Sequence, residues 1–340
     1  MLVDIIISCV KIFIVLNVIL VAVAYTVYAE RRVSAFIQNR YGPNRVGPEG
    51  LLQPLADVLK LLMKEDIVPT NADKKIHTLA PMISIFVALC TVAVVPFGYK
   101  IELFGRVIPL QIADVNIGVL YILALTSLGV YGITLSGWSS NSKYSLLGGL
   151  RSAAQMISYE LSMGLSIIGV VLITGSLSLQ QIVLHQQGWM WNVILQPVGF
   201  IIFLVAAFAE TNRAPFDLPE AEPELVGGYH TEYSSMKFAL FFLAEYANMI
   251  VSSAVIVTLF FGGWQIPYLE HAGLSPLVLS LLQVLSFLIK VSFFVFFFIW
   301  VRWSVPRFRY DQLMNLGWKV MLPLSLINIV VTAIVISVLK

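Results

Sequence analysis

Leu277-Val-Leu-Ser-Leu-Leu-Gln-Val-Leu-Ser-Phe-Leu-Ile-Lys290-Val-Ser-Phe-Phe-Val-Phe-Phe-Phe-Ile-Trp-Val301 carries one ionisable group, Lys290, in an otherwise uncharged run. A helix over these residues rises about 37 Å at 1.5 Å per residue, more than the roughly 30 Å hydrocarbon core of a bilayer. Seven further runs, near residues 3–29, 79–97, 115–137, 146–173, 193–209, 236–261 and 319–339, are apolar enough and long enough to do the same. The chain as a whole is 59% hydrophobic and 12% charged, with a mean hydropathy of +0.87. That balance lies outside the range of soluble domains. The expectation is an all-α integral membrane protein, a single membrane domain over 1–340 built as a bundle of about eight transmembrane helices.

The first run is read as a retained helix and not as a cleaved leader. It has no basic leading region, carries Lys11 and Asn17 inside it, and has no small-residue cleavage site before Glu30-Arg31-Arg32. Lysine and arginine counts in alternate connections set the orientation. Connections 1–2, 3–4, 5–6 and 7–8 together carry sixteen, with those at the flanking span ends included, against Lys100 and Arg106 alone on the other side. Both termini should therefore face outward. Trp138, Trp191, Trp264, Trp300, Trp303 and Trp318 fall at segment ends, as an aromatic belt requires.

Between the fifth and sixth runs the character reverses. The residues from Glu210 to Glu232 include Glu210, Asp217, Glu220, Glu222, Glu224 and Glu232, against one formal cation, Arg213. An acidic loop of this kind, about 210–235, should line water or hold some acids protonated, because adjacent carboxylates raise one another's pKa. Glu160, Glu210 and Glu245 fall inside or at the margin of spans, where each would cost roughly 2.5–3.5 kcal/mol at a helix centre on insertion scales. They should face the bundle interior, with Lys290 as the counter-charge. Singly, each acid is explained as a structural hydrogen-bonding partner. Together they point to a proton relay.

The first cytoplasmic connection contains a second kind of helix, about 50–64. Leu51, Leu52, Leu55, Val58, Leu59 and Leu62 recur at helical spacing, opposite Gln53, Asp57, Lys60 and Lys64, and Pro54 falls in the first turn. It is too short and too charged to span, and should lie along the interface as an amphipathic helix. Ahead of it, Gln38 to Pro48 combines glycines and prolines with Arg40 and Arg45, a tight course presenting fork-shaped donors. Taken alone, that stretch reads as positive-inside anchoring plus a turn.

Several chemistries are excluded. There is no phosphate loop, nicotinamide or flavin fingerprint, hydrolase triad or fixed-period repeat. Cys9 and Cys90 stand in separate runs and form no thiolate cluster, so no metal site is expected. His77, His185, His230 and His271 are scattered through the polar connections, which argues against haem ligation. Nothing suggests nucleic-acid binding. No pair of corresponding broken helices marks inverted repeats, which lowers the case for an autonomous ion or proton transporter.

Nine motifs, in order, carry a resemblance: Ala29-Glu30-Arg31, Gly42-Pro43-Asn44-Arg45-Val46-Gly47-Pro48, Gly50-Leu51-Leu52-Gln53-Pro54, Ser136-Gly137-Trp138, Ile157-Ser158-Tyr159-Glu160, Ala209-Glu210-Thr211-Asn212-Arg213, Pro215-Phe216-Asp217-Leu218, Ala244-Glu245-Tyr246 and Pro306-Arg307-Phe308-Arg309-Tyr310-Asp311-Gln312. With these the chain resembles the membrane subunit of respiratory complex I, the NADH:quinone oxidoreductases, that forms the quinone chamber. That subunit is called H in bacteria and subunit 1 of NADH dehydrogenase in mitochondria. Similar subunits occur in membrane-bound hydrogenases.

The resemblance implies an enzyme subunit with no complete redox site of its own and no catalytic residue, flavin, haem or iron-sulfur cluster. Quinone would be the shared substrate. The implied partners are the hydrogenase-like large and small peripheral subunits, the ferredoxin-like iron-sulfur subunit, the small and antiporter-like membrane subunits, and lipid. It places Glu30, Arg31, Arg40, Arg45, Arg213 and Phe216 at the quinone chamber or its docking surface. It places Glu160, Glu210, Asp217, Glu220, Glu222, Glu224 and Glu245 in an acidic path coupling the chamber to proton pumping, and Lys290 joins this group as their intramembrane cation. The implied location is a bacterial cell membrane, with the mitochondrial inner membrane as the alternative.

Overall fold

The computed structural model describes residues 2–103, 105–188, 190–218, 222–268 and 275–339. Among these residues thirteen α-helices and one hairpin follow one another. They are α1 (Leu2–Ile37), α2 (Gln53–Met63), α3 (Lys74–Thr91), β1 (Lys100–Leu103), β2 (Arg106–Pro109), α4 (Gly118–Ser139), α5 (Lys143–Thr174), α6 (Leu179–His185), α7 (Asn192–Leu195), α8 (Pro197–Glu210), α9 (Glu222–Leu225), α10 (Ser235–Phe260), α11 (Pro276–Ser304), α12 (Tyr310–Asn315) and α13 (Leu322–Leu339). A π-helical stretch, Leu316–Met321, joins α12 to α13.

Seven of the described helices are long and apolar enough to cross a bilayer, the last running Tyr310–Leu339 through the π turn. The run expected at 193–209 differs: α8 has only 14 residues, a rise of about 21 Å. Pro197 is the cause. It cannot donate the backbone bond that would fuse α7 to α8, and it pushes the residue before it out of the helical region, so Gln196 sits at φ −132°, ψ 57°. Side chains hold the break in place. Gln196 donates to Thr332 at 2.6 Å and accepts from Asn328 at 2.8 Å, while Asn192 donates to the Leu259 carbonyl at 2.7 Å.

The core forms around α10, which packs on α1, α2, α3, α6, α8 and α11. Helix α5 contributes its small-residue face, with Ser145, Gly148, Gly149, Ser152, Ser162, Ser166 and Gly169 all buried. Small residues let backbones approach where lipid supplies no hydrophobic drive between helices. Gly148 is the tightest case: a Cβ there would lie 2.7 Å from the Gly228 Cα and the Tyr229 backbone nitrogen. The acidic loop is thereby pressed directly onto α5. Helix α1, at 36 residues, rises about 54 Å and projects beyond the membrane. Its last turns carry Glu30, Arg31 and Arg32.

Candidate functional site: a buried charge cluster beside a polar cavity

The end of α8 leads into a turn, Thr211 to Leu218, that the helix bundle holds in place. Gln155 on α5 donates to the carbonyls of Ala209 at 2.7 Å and Phe216 at 2.8 Å, and to the Asn212 side chain at 3.2 Å. Asn212 takes a positive φ of 51°, and the Ala214-Pro215 bond is cis. Arg213, in the middle of this turn, points inward. Its guanidinium, with 0% of the side chain exposed, bridges Glu30 and Glu245 at 2.7 Å each, and these carboxylates are themselves only 6% and 11% exposed. Arg302 on α11 meets the other oxygen of Glu30 at 2.5 Å. Tyr246 donates to Glu30 at 2.7 Å, and its ring lies under the Arg213 guanidinium at 4.1 Å.

Burial opposes the charge of Arg213, but Glu245, Tyr246 and Glu30 outweigh it and hold its pKa further above the ordinary arginine value. Two arginines and two glutamates thus form one neutral, nearly dry group. It spans α1, the 211–218 turn, α10 and α11. One guanidinium joins Glu30 to Glu245.

On its other side Glu245 opens into a cavity of about 50 Å³, shared with Glu210, Ser84, Thr91, Thr126 and Asn248. At roughly 10–15 Å³ per water, the space and its polar lining suit about three water molecules. A smaller cavity of about 20 Å³ touches Glu210, Thr126 and Ser252 from the α5 side. Thr126, whose hydroxyl donates to the Leu123 carbonyl at 3.0 Å, lines both cavities beside Glu210, and Glu160 lies within electrostatic reach of Glu210. Ser127, the next residue on α4, donates to the Glu160 carboxylate. Glu245, Glu210 and Glu160 therefore follow one another across α10, α8 and α5, with hydroxyls between them.

The residues expected at the site divide into groups that the sequence did not foresee. Glu30 and Arg213, expected at the chamber, join Glu245, expected in the acidic path. Phe216 is 3% exposed and packs between Tyr159 and Phe308, a wedge behind the turn and not an open wall. Arg31 pairs with Asp57 of α2 at 2.7 Å, fastening the amphipathic helix to α1. Arg40 and Arg45 are exposed, and Arg40 donates to Gln38 at 2.6 Å. Asp217 pairs with Arg307 at 2.8 Å, and Glu224 with Arg151 at 2.7 Å. Glu220 lies outside the described residues. Glu222 opens α9, and its side chain is likewise not described.

Lys290 does not serve the acids as counter-charge. Its three donors go to the carbonyls of Phe261, Gly263 and Gln265 at 2.9, 2.9 and 2.7 Å, and its ammonium lies 4.7 Å from the Trp191 ring. The non-helical stretch after α10 leaves carbonyls without helical partners, and a partly buried lysine satisfies them. The cations of the cluster are Arg213 and Arg302. Arg302 and Tyr246 were missed because Arg302 ends an apolar span and Tyr246 is ordinary core aromatic by composition. The Ala244-Glu245-Tyr246 and Pro306–Gln312 motifs were the available signals for Tyr246 and Arg307. His77 is also not in a polar connection: it lies in α3 and is fully buried.

The NADH dehydrogenase family model matches residues 10–333. Among curated relatives, the NADH-quinone oxidoreductase H subunit of Salinibacter ruber is 57% identical over 332 residues, covering 95% of this chain and 94% of its own. The first of the H subunits of Cytophaga hutchinsonii is 56% identical over 313 residues, covering 92% of each. The protein named NADH-quinone oxidoreductase subunit 8 of Rhodothermus marinus is 56% identical over 332 residues, covering 95% of each. With seven of its described helices long and apolar enough to span a bilayer and these matches along nearly its whole length, the chain belongs to the NADH dehydrogenase family, as an H-type subunit of NADH-quinone oxidoreductase.

Proposed function

We propose that this chain forms the membrane wall of a quinone chamber completed by peripheral subunits, and that it passes charge changes in that chamber to proton-pumping subunits. The observation that carries this reading is the Arg213 bridge. One guanidinium holds Glu30 in the last turns of α1 and Glu245 at the lip of the polar cavity.

Reducing a quinone to a quinol consumes protons beside the chamber. Loss of negative charge near Glu30, or movement of Arg302, releases Arg213 toward Glu245, because a buried cation seeks whichever carboxylate remains ionised. The protonation of Glu245 then changes, and waters in the cavity connect it to Glu210 and onward to Glu160. Helix α2 supplies the lipid-side approach. None of its residues is buried, and Leu55, Leu59, Leu62 and Met63 are exposed on it, a surface suited to an isoprenoid tail. Arg40 and Arg45, with the Gly42–Pro48 turn, form a basic docking surface for the hydrogenase-like large and small subunits and the ferredoxin-like iron-sulfur subunit. The lipid-facing helices meet the small and antiporter-like membrane subunits.

The multi-pass chain would sit in a bacterial cell membrane with both termini outward. Purification in mild detergent tests the assignment: co-isolation with flavin and iron-sulfur subunits and inhibitor-sensitive quinone reductase activity is the expected result. A lone, stable chain catalysing ion flux would overturn it.

A further inference from the structure

One buried titratable group takes no part in this coupling. His77 is 0% exposed, and neither ring nitrogen has a hydrogen-bond partner among the described residues. Its ring lies parallel to Tyr233 at 3.9 Å, with 5° between the planes. Such groups call for an explanation, because buried polar atoms are nearly always paired. The Glu232 backbone lies close to the ring, but neither nitrogen meets it in hydrogen-bonding geometry.

Tyr233 belongs to the segment Gly228–Ser234, which a small apolar cluster of Ala80, Tyr229, Tyr233 and Phe241 glues to α3 and α10. Tyr229 in the same segment also lines the cavity shared by Glu210 and Glu245. The charged groups that act on His77 are Glu232 from the segment, Lys237 from α10 and Asp66 from the connection before α3; Asp73 stands one turn away at the start of its own helix, and His230 lies in the segment itself. Lys237 and Asp66 pair with each other at 2.9 Å. Helix α4 presents the hydroxyl of Ser139, and the residue after it that of Ser140, to Tyr233. Burial pushes the Tyr233 hydroxyl up to about 12, so it stays neutral. Of the two imidazoles in this layer, side chains of the kind that change charge near neutral pH, His77 is the fully buried one and the one stacked on Tyr233.

We propose that His77 is a proton-triggered latch on the cytoplasmic cover of the cavity: neutral, it stacks under Tyr233 and keeps Gly228–Ser234 closed; protonated, it releases the segment and admits water to Glu245 and Glu210. The sign follows from burial. An imidazolium needs two acceptors, the closed site offers none in geometry, and the Lys237 ammonium is nearby, so the charge is accommodated only when the ring reaches water or the Glu232 and Asp66 carboxylates. The closed state is therefore favoured at high pH and lost as pH falls through the His77 titration. This deepens the coupling reading and rests on it for its consequence, though not for its own test.

Hydrogen exchange of residues 226–234 in the assembled complex reads the latch directly. Wild type and His77→Phe, which keeps the ring stack without a titratable nitrogen, are compared at each pH between about 5.5 and 8.5. Taking their ratio cancels the intrinsic pH dependence of exchange. The expected ratio is near one at high pH and rises severalfold on acidification. A ratio independent of pH overturns the latch. If His77→Phe assembles poorly, His77→Tyr serves the same comparison. Failure of the coupling reading looks different: amides at Glu210 and Glu245 would leave pumping intact, whatever the exchange ratio does.

Discussion

Replacing Arg213 with methionine keeps the length and apolar body of the side chain and deletes the charge that bridges Glu30 and Glu245. Both carboxylates are nearly dry, and removing one partner of a buried pair costs about 3–5 kcal/mol because a bare charge is left behind. The two acids do not lose equally. Glu30 keeps Arg302 at 2.5 Å and the Tyr246 hydroxyl at 2.7 Å, whereas Glu245 loses the guanidinium at 2.7 Å. Most of the cost should therefore sit on Glu245, and neutralising it should recover most of the loss. The assay is the amount of assembled complex and its dissociation temperature for R213M, R213M/E245Q and R213M/E30Q, read as a double-mutant cycle. R213M is expected to fall sharply, R213M/E245Q to recover, and R213M/E30Q to recover less, since it also strands Arg302. Equal recovery in both doubles, or a single variant as stable as the wild type, would refute the reasoning.

Lys290→Met should leave three carbonyls unpaired, at about 1–3 kcal/mol each as an upper bound, and so lower assembly. Protons pumped per electron pair in the complex that does assemble should be unchanged, and a normally stable variant with reduced pumping would restore Lys290 to the proton path. Arg31→Gln removes the half-exposed pair with Asp57, of a kind worth about 0.2–1 kcal/mol. The expected effect is a change of up to about fivefold in the apparent KM for quinone as α2 loosens, with little change in maximal turnover. An unaltered KM and unaltered inhibitor sensitivity would remove α2 from the quinone path.

Apolar runs announce helices because every backbone group must be satisfied inside lipid, so the spans and the amphipathic α2 were legible from residue type alone. The broken fifth span was not, although Pro197 stood in plain view, because prolines are tolerated in membrane helices whenever neighbours satisfy the freed groups. Here Asn192, Gln196 and Asn328 do so, and their partners are distant in sequence. Lys290 misled for a related reason. An intramembrane lysine suggests a carboxylate partner, but the unwound stretch Phe261–Gln265 offers carbonyls, and an unwinding after α10 leaves no compositional trace. The acids Glu160, Glu210 and Glu245 could be named from their position in spans. That Glu30 belongs with them could not, since the link runs through Arg213 and the fold of the 211–218 turn around Gln155.

The central claim is that charge in the chamber reaches the membrane arm through Arg213, Glu245 and Glu210. The most direct measurement is the ratio of protons pumped to quinone reduced in liposomes containing the assembled complex, for wild type, Glu210→Gln and Glu245→Gln. Both amides keep the size and much of the hydrogen bonding of the acid, so the complex should assemble. The account predicts a marked fall in the ratio, with coupled turnover falling alongside it. Unchanged pumping and turnover in both variants would contradict it.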